Sequence, residues 1–157
     1  MSRRQIGWLF VVIQFLLLAA LVLLPSGDDW SRPGWLQLLS TVVFVAGLAI
    51  VAAAALGLGP ALTATPVPTA GGHLVTGGLF RFARHPIYTG VLLVVTAVAV
   101  RSGSVVTVAV AVVTIAFFWV KSSWEEVQLR RTYPDYDHYA AVTGRFFPRL
   151  GRARTRS

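Results

Sequence analysis

The 157-residue chain has no cysteine, only six acidic residues and only three histidines. Without cysteine there can be no disulfide, no thiolate metal site and no cysteine nucleophile. Charged residues make up 13% of the chain and hydrophobic residues 55%, whereas soluble domains carry about a quarter charged residues. No G-x-S-x-G elbow, Walker loop or dinucleotide-binding glycine pattern occurs, and there is no internal repeat beyond Ala/Val-rich low complexity. The composition is that of a membrane protein, and the length makes one domain, 1–157, the default.

What the chain does have is four apolar runs, Ile6–Leu24, Leu36–Leu58, Ile87–Val100 and Val105–Val120. As helices the first two span about 28 and 34 Å, enough for a ~30 Å hydrocarbon core, and the others about 21 and 24 Å. The last two read as a tight helical hairpin turning at Arg101–Ser104. Backbone in lipid must satisfy its own hydrogen bonds, so helices are the spanning element. The expected fold is all-α, a polytopic bundle of about four transmembrane helices. Although "SRR" opens like a leader, run one exceeds the ~7–15-residue core of a signal peptide. The following "LLPSGDD" also lacks a small-x-small cleavage site, so run one is expected to stay as a helix.

The net charge of +8 is unevenly placed. Arg3 and Arg4 precede run one, Arg81 and Arg84 lie between runs two and three, and Lys121 and the arginines from Arg130 to Arg156 follow run four. The opposite face holds Arg32 and Arg101, with Asp28 and Asp29 beside the first. The positive-inside rule puts both termini and the middle loop in the cytoplasm, and a bacterial inner membrane is the expected location. The basic tail is expected to lie along anionic headgroups rather than nucleic acid.

Polar residues gather in two segments on that side. In "RFARHPIYTG", Arg81–Gly90, Pro86 suits the first turn of a helix, which places His85 near the N-cap and free amides around Ile87 and Tyr88. Such a terminus attracts an anion, and Arg84 strengthens the field. Membrane-flanking charge, with Tyr88 as an interfacial aromatic, accounts for the same residues. In the second segment, Glu125 and Glu126 are the only glutamates, and Lys121 and Glu125 share a helix face. They suit either a ribose diol and an acidic group or an ordinary surface pair. His73, Asp135, Asp137 and His138 fit no helical ligand spacing, so no metal is expected.

"KSSWEEVQLRRTY" should prolong helix four by about three turns, and "YPDYDHY" should break it. "AAVTGRFFP" should form a short interfacial helix with Phe146 and Phe147 dipped into the membrane. The Pro-, Gly- and Thr-rich segment Gly59–Pro86 is long enough to be a functional loop, with Gly59–His73 a candidate lid.

"HLVTGGLFRFARHPIYTG", followed across the hairpin by "EEVQLRRTYPDYDHYAAVTGRFFP", resembles the isoprenylcysteine carboxyl methyltransferase-like family of integral-membrane methyltransferases. The family pattern is roughly H-x-L-V-T-x-G-x-Y-x-x-x-R-H-P-x-Y-x-G, then E-E-x-x-L, Y-x-x-Y and a final proline. Phospholipid N-methyltransferases and the carboxyl-terminal part of sterol reductases share weaker versions. The match covers about Gly72–Pro148. It implies S-adenosylmethionine as cofactor, S-adenosylhomocysteine as product, and a lipophilic acceptor entering from the bilayer. The cytoplasmic loop and carboxyl-terminal helices would form the pocket.

The family's cofactor contacts fall on Gly72–Val75 (with His73, Leu74 and Val75), on His85, Pro86, Ile87 and Tyr88, and on Glu125, with Arg84 beside them. Phe80 stands where the family has tyrosine, so one hydroxyl contact is missing. Lys121 stands where the family has a substrate-contacting arginine, which replaces a bidentate fork by a point charge. That change points away from a prenylcysteine carboxylate, toward a small isoprenoid or fatty acid, a phospholipid amine or a hydrophobic thiol. A carboxylate acceptor needs no base. An amine must lose a proton, for which Glu126 or His85 is the nearest group. No dedicated nucleophile is expected, and most of the rate should come from orientation and exclusion of water. The alternatives are an NADPH-binding reductase-like protein and a non-catalytic membrane scaffold.

Overall fold

Ser2 starts the first helix: its hydroxyl accepts the Gln5 amide at 3.2 Å while the Gln5 side chain accepts the Ser2 amide at 2.7 Å. This reciprocal pairing satisfies donors that a helix start leaves open. The computed structural model describes residues 1–62 and 73–149, and within them every regular element is helical. Helices α1 (Arg3–Leu23), α2 (Gly34–Leu58), α3 (Pro86–Ser102), α4 (Val105–Thr132) and α5 (Tyr136–Val142) follow in order, with short 3-10 turns at Gly59–Ala61 and Gly78–Arg81. The one strand-like feature among the described residues is an isolated parallel bridge between Ala83 and Gly144.

Helices α1, α2 and α4 are long and apolar enough to cross a membrane, and α3 is a shorter apolar helix of 17 residues. The 28 residues of α4 reach about 42 Å, so its last turns stand clear of a ~30 Å hydrocarbon core. Phe15, Leu16, Val22, Leu38 and Leu56 point outward and exposed, as lipid-facing side chains do. This is an integral membrane protein built as a polytopic helical bundle.

The most extensive helix contact is α2 against α3, and glycine makes it possible. A Cβ on Gly90 would lie 2.5 Å from the Gly47 carbonyl oxygen, and one on Gly47 would lie 2.7 Å from the Gly90 oxygen. Helices without a hydrophobic drive to associate rely on such close backbone approach. At one end of the bundle Leu21, Val95, Ala99 and Ala111 form an apolar cluster that joins α1, α3 and α4.

The α3–α4 turn is tighter than the expected Arg101–Ser104, because α3 continues through Ser102. Gly103 takes a left-handed conformation (φ 66°) and Ser104 caps α4. The α1–α2 connection locks onto this turn, with Gly27 N bonded to Ser102 O and Asp29 N to Gly103 O, both at 2.9 Å. Asp29 Oδ2 also accepts the Val105 amide at 2.7 Å. These two turns therefore share one end of the bundle. The amino terminus, the start of α3 and the end of α4 share the other.

Two expectations need correction. "YPDYDHY" is only briefly a break, since Tyr133–Asp135 form the turn and α5 already begins at Tyr136. "AAVTGRFFP" is not a helix beyond Val142. Gly144 O and Arg145 O accept the Arg84 and His85 amides at 2.8 and 3.0 Å, and Phe146 O accepts the Thr89 hydroxyl at 2.6 Å. Backbone pairing with the segment before α3 outcompetes helix continuation. Phe146 is consequently buried and only Phe147 is exposed. The lid expected at Gly59–His73 and the tail after Arg149 fall largely outside the described residues.

Candidate active site

Glu126 sits at the centre of the polar end of the bundle. Its side chain is 1% exposed and is surrounded by cations. Arg84 Nε reaches Oε1 at 2.9 Å, while Arg145 Nη2 and Arg130 Nη2 reach Oε2 at 3.1 and 3.5 Å. Arg84 Nη1 also donates to the Ala140 carbonyl at 3.1 Å and to that of Thr143. Arg145 bonds Ser123 Oγ at 2.7 Å and lies over the Trp119 ring, and Arg130 holds Asp137 at 2.9 Å. A buried carboxylate is tolerable only with such partners. The cluster ties the approach to α3, the last turns of α4, α5 and the segment after it into one unit.

The α5 tyrosines complete this unit. Burial pushes both phenols up, Tyr139 to about 12, so they stay protonated, and Tyr139 donates to the Phe80 carbonyl. Phe80 is buried, and its ring lies beside Gly57 of α2.

One helical position away from Glu126, Glu125 faces different company. It accepts the Tyr88 hydroxyl at 2.7 Å and lies 3.8 Å from His85 Nδ1, with its side chain 22% exposed. The His85 ring is buried and stacks on Tyr88, interplanar angle 1°. Its Nε2 lies 3.4 Å from Glu126 Oε1 without a hydrogen bond. Pro86 occupies the first position of α3, and Thr89 is the first residue to bond back, to the His85 carbonyl at 3.0 Å. The amides of Ile87 and Tyr88 thus precede the helical ladder.

Lys121, one turn before Glu125, is buried. Its ammonium lies 5.0 Å from the Tyr88 ring centroid and 5.7 Å from that of Phe118, and it donates to Gln14 Oε1 of α1.

The structure thus gathers His85, Tyr88, Lys121 and Glu125, with the open start of α3 beside them. The Arg84 guanidinium is committed to Glu126 and two carbonyls instead of the helix start. His73 is exposed, and Leu74 and Val75 are half-buried. Among the described residues no side-chain hydrogen bond or ion pair ties these three to the cluster. Gln14 and Arg145 are partners that sequence reasoning missed. Gln14 left a signal as a lone amide inside an apolar run, and Arg145 stands inside the quoted "TGRFFP".

Residues 35–136, which carry "RHPIY" and both glutamates, match the family model described as phospholipid methyltransferase. The chain belongs to the phospholipid methyltransferase family. That family falls within the isoprenylcysteine carboxyl methyltransferase-like membrane methyltransferases, the group its motifs resemble. Membership makes the protein a methyltransferase acting on a lipid or membrane-borne substrate. It is also similar to the nickel-cobalt-cadmium resistance protein NccN of Alcaligenes xylosoxydans xylosoxydans, 28% identical over 161 residues, covering all of this chain and 70% of that protein. No solved structure matches.

Proposed function

We propose that the protein transfers a methyl group from S-adenosylmethionine to a lipophilic acceptor carrying a negative charge. The transfer takes place at the cytoplasmic face of a bacterial inner membrane, with both termini on that side. The observation that carries this reading is the meeting of two distant motifs at one point, where Glu125 of α4 accepts Tyr88 of α3 beside the open helix start. The donor set fits the cofactor. Free amides and His85 suit a carboxylate, a partly exposed glutamate suits a ribose diol or an ammonium, and the His85–Tyr88 stack offers an aromatic wall. When bound, the cofactor would supply an electrophilic methyl on a sulfonium.

The chain's own residues then divide the work. Glu125, the α3 amides and His85 hold and orient the cofactor. Lys121, steadied by Gln14 and the two aromatic faces, attracts the anionic part of the acceptor and brings it to the membrane side of the cofactor. Glu126 acts through position: both its oxygens are engaged by arginines, so the proton of an amine acceptor falls to His85, whose Nδ1 lies on the Glu125 side of the ring. Burial of the aromatic residues Phe118 and Phe146 around the site excludes water.

The test is calorimetric titration of the protein in detergent with S-adenosylhomocysteine, followed by incubation of membranes with isotopically labelled methyl donor and lipid mass spectrometry. Saturable binding and a labelled lipid are expected. No binding would favour a non-catalytic scaffold, and binding of NADPH instead would favour a reductase-like protein.

A further inference from the structure

At the end of the bundle opposite Glu125 lies a cavity of about 1030 Å³. From His85 to Arg101 the rise of α3 is about 24 Å, so this cavity and the candidate active site lie near opposite surfaces of the bilayer. One wall is apolar, formed by Leu21, Val22 and Val98, and the other carries Asp28, Arg32 and Arg101. Trp30 also lines it and donates its indole N–H to the Val100 carbonyl at 3.3 Å, an arrangement suited to the headgroup level.

Among the residues that line this cavity two arginines meet one aspartate. Arg32 pairs with Asp28 at 2.9 Å. The neighbouring Asp29 keeps its charge at the start of α4, where it accepts the Val105 amide, and does not line the cavity. Arg101 donates only to the neutral Thr41 hydroxyl, at 2.9 Å, and meets no carboxylate among the described residues. Arg101 thus stands without a carboxylate partner beside an apolar wall, at the depth where acyl chains meet headgroups.

We infer that this cavity binds a glycerophospholipid of the leaflet opposite the candidate active site. Its phosphate lies between Arg101 and Arg32, and an acyl chain lies along Leu21, Val22 and Val98. Guanidinium–phosphate bonds are among the stronger polar contacts. The apolar wall adds the selectivity for a lipid over free phosphate. Such a lipid would clamp the α1–α2 connection onto the α3–α4 turn, where the two already share backbone bonds. The inference is independent of the methyl-transfer reading.

Native mass spectrometry of the full chain in neutral detergent tests it, with dioleoyl phosphatidylglycerol, dioleoylglycerol and glycerol phosphate as probes. The phospholipid should bind, and the two fragments should bind far more weakly. Arg101→Gln should weaken phospholipid binding about tenfold or more, Arg101→Lys less, and Val22→Trp should block the acyl chain. Val22 is exposed, so that variant remains decisive even if Arg101→Gln folds poorly. Lys121→Gln reports on lipid held at the other end of the bundle. If binding is lost in Lys121→Gln but retained in Arg101→Gln and Val22→Trp, or if glycerol phosphate binds as well as the lipid, the inference is wrong.

Discussion

Neutralising the two adjacent glutamates should produce opposite phenotypes. Glu126→Gln removes the charge that faces Arg84, Arg145 and Arg130 in a site where the carboxylate is 1% exposed. Breaking a buried ion pair from one side costs about 3–5 kcal/mol, because the partner charges stay buried. Here the lower end applies, about 3 kcal/mol, since Arg84 keeps the Ala140 and Thr143 carbonyls and Arg130 is 42% exposed and keeps Asp137. Glu125→Gln disturbs only the Tyr88 hydroxyl and a partly exposed carboxylate, so its stability cost should stay below about 1.5 kcal/mol. Cofactor affinity should follow the reverse order, with Glu125→Gln losing about 1.5–3 kcal/mol of S-adenosylhomocysteine binding. Glu126→Gln should lose little at temperatures where it remains folded. Denaturant titration in micelles gives the first quantity and calorimetry the second. If Glu126→Gln were as stable as the parent and failed to bind cofactor, the division between a structural and a ligand-facing glutamate would be refuted.

Three further outcomes are expected. Gly90→Ala should destabilise the protein by about 1–3 kcal/mol, because the new methyl meets the Gly47 carbonyl at 2.5 Å; an unchanged melting temperature would show that the α2–α3 contact is looser than described. His85→Ala should raise the dissociation constant of S-adenosylhomocysteine, while an analogue lacking the carboxylate should barely distinguish the variant from the parent. Additive losses in that cycle would remove His85 from the carboxylate site. Reporter fusions at Asp29 and at the carboxyl terminus should give opposite sidedness, and equal sidedness would overturn the proposed orientation.

Composition and periodicity alone determined that the chain is a bundle of apolar helices. Lipid admits no other way to satisfy the backbone of such runs, and their lengths need no knowledge of their neighbours. The motifs around His85 and Glu125 were legible for a similar reason. Proline at a helix start and charge just past an apolar run are local signals, and the spacing of the two motifs pointed to a known group of membrane methyltransferases. What each polar side chain does there was not local. Glu125 and Glu126 are chemically identical neighbours, and only the angle between successive helical positions, set against α3 and the returning chain, turns one toward Tyr88 and the other into three arginines. Arg84 looked like an anion ligand because its sequence neighbours are a helix start. Its guanidinium instead meets a carboxylate 42 residues away, contributed by a helix whose rotation no local pattern encodes. The same long-range pairing keeps "TGRFFP" out of a helix, because the Arg84, His85 and Thr89 donors capture carbonyls that an isolated segment would have used for helix. Gln14 reaches Lys121 only once α1 packs beside α4.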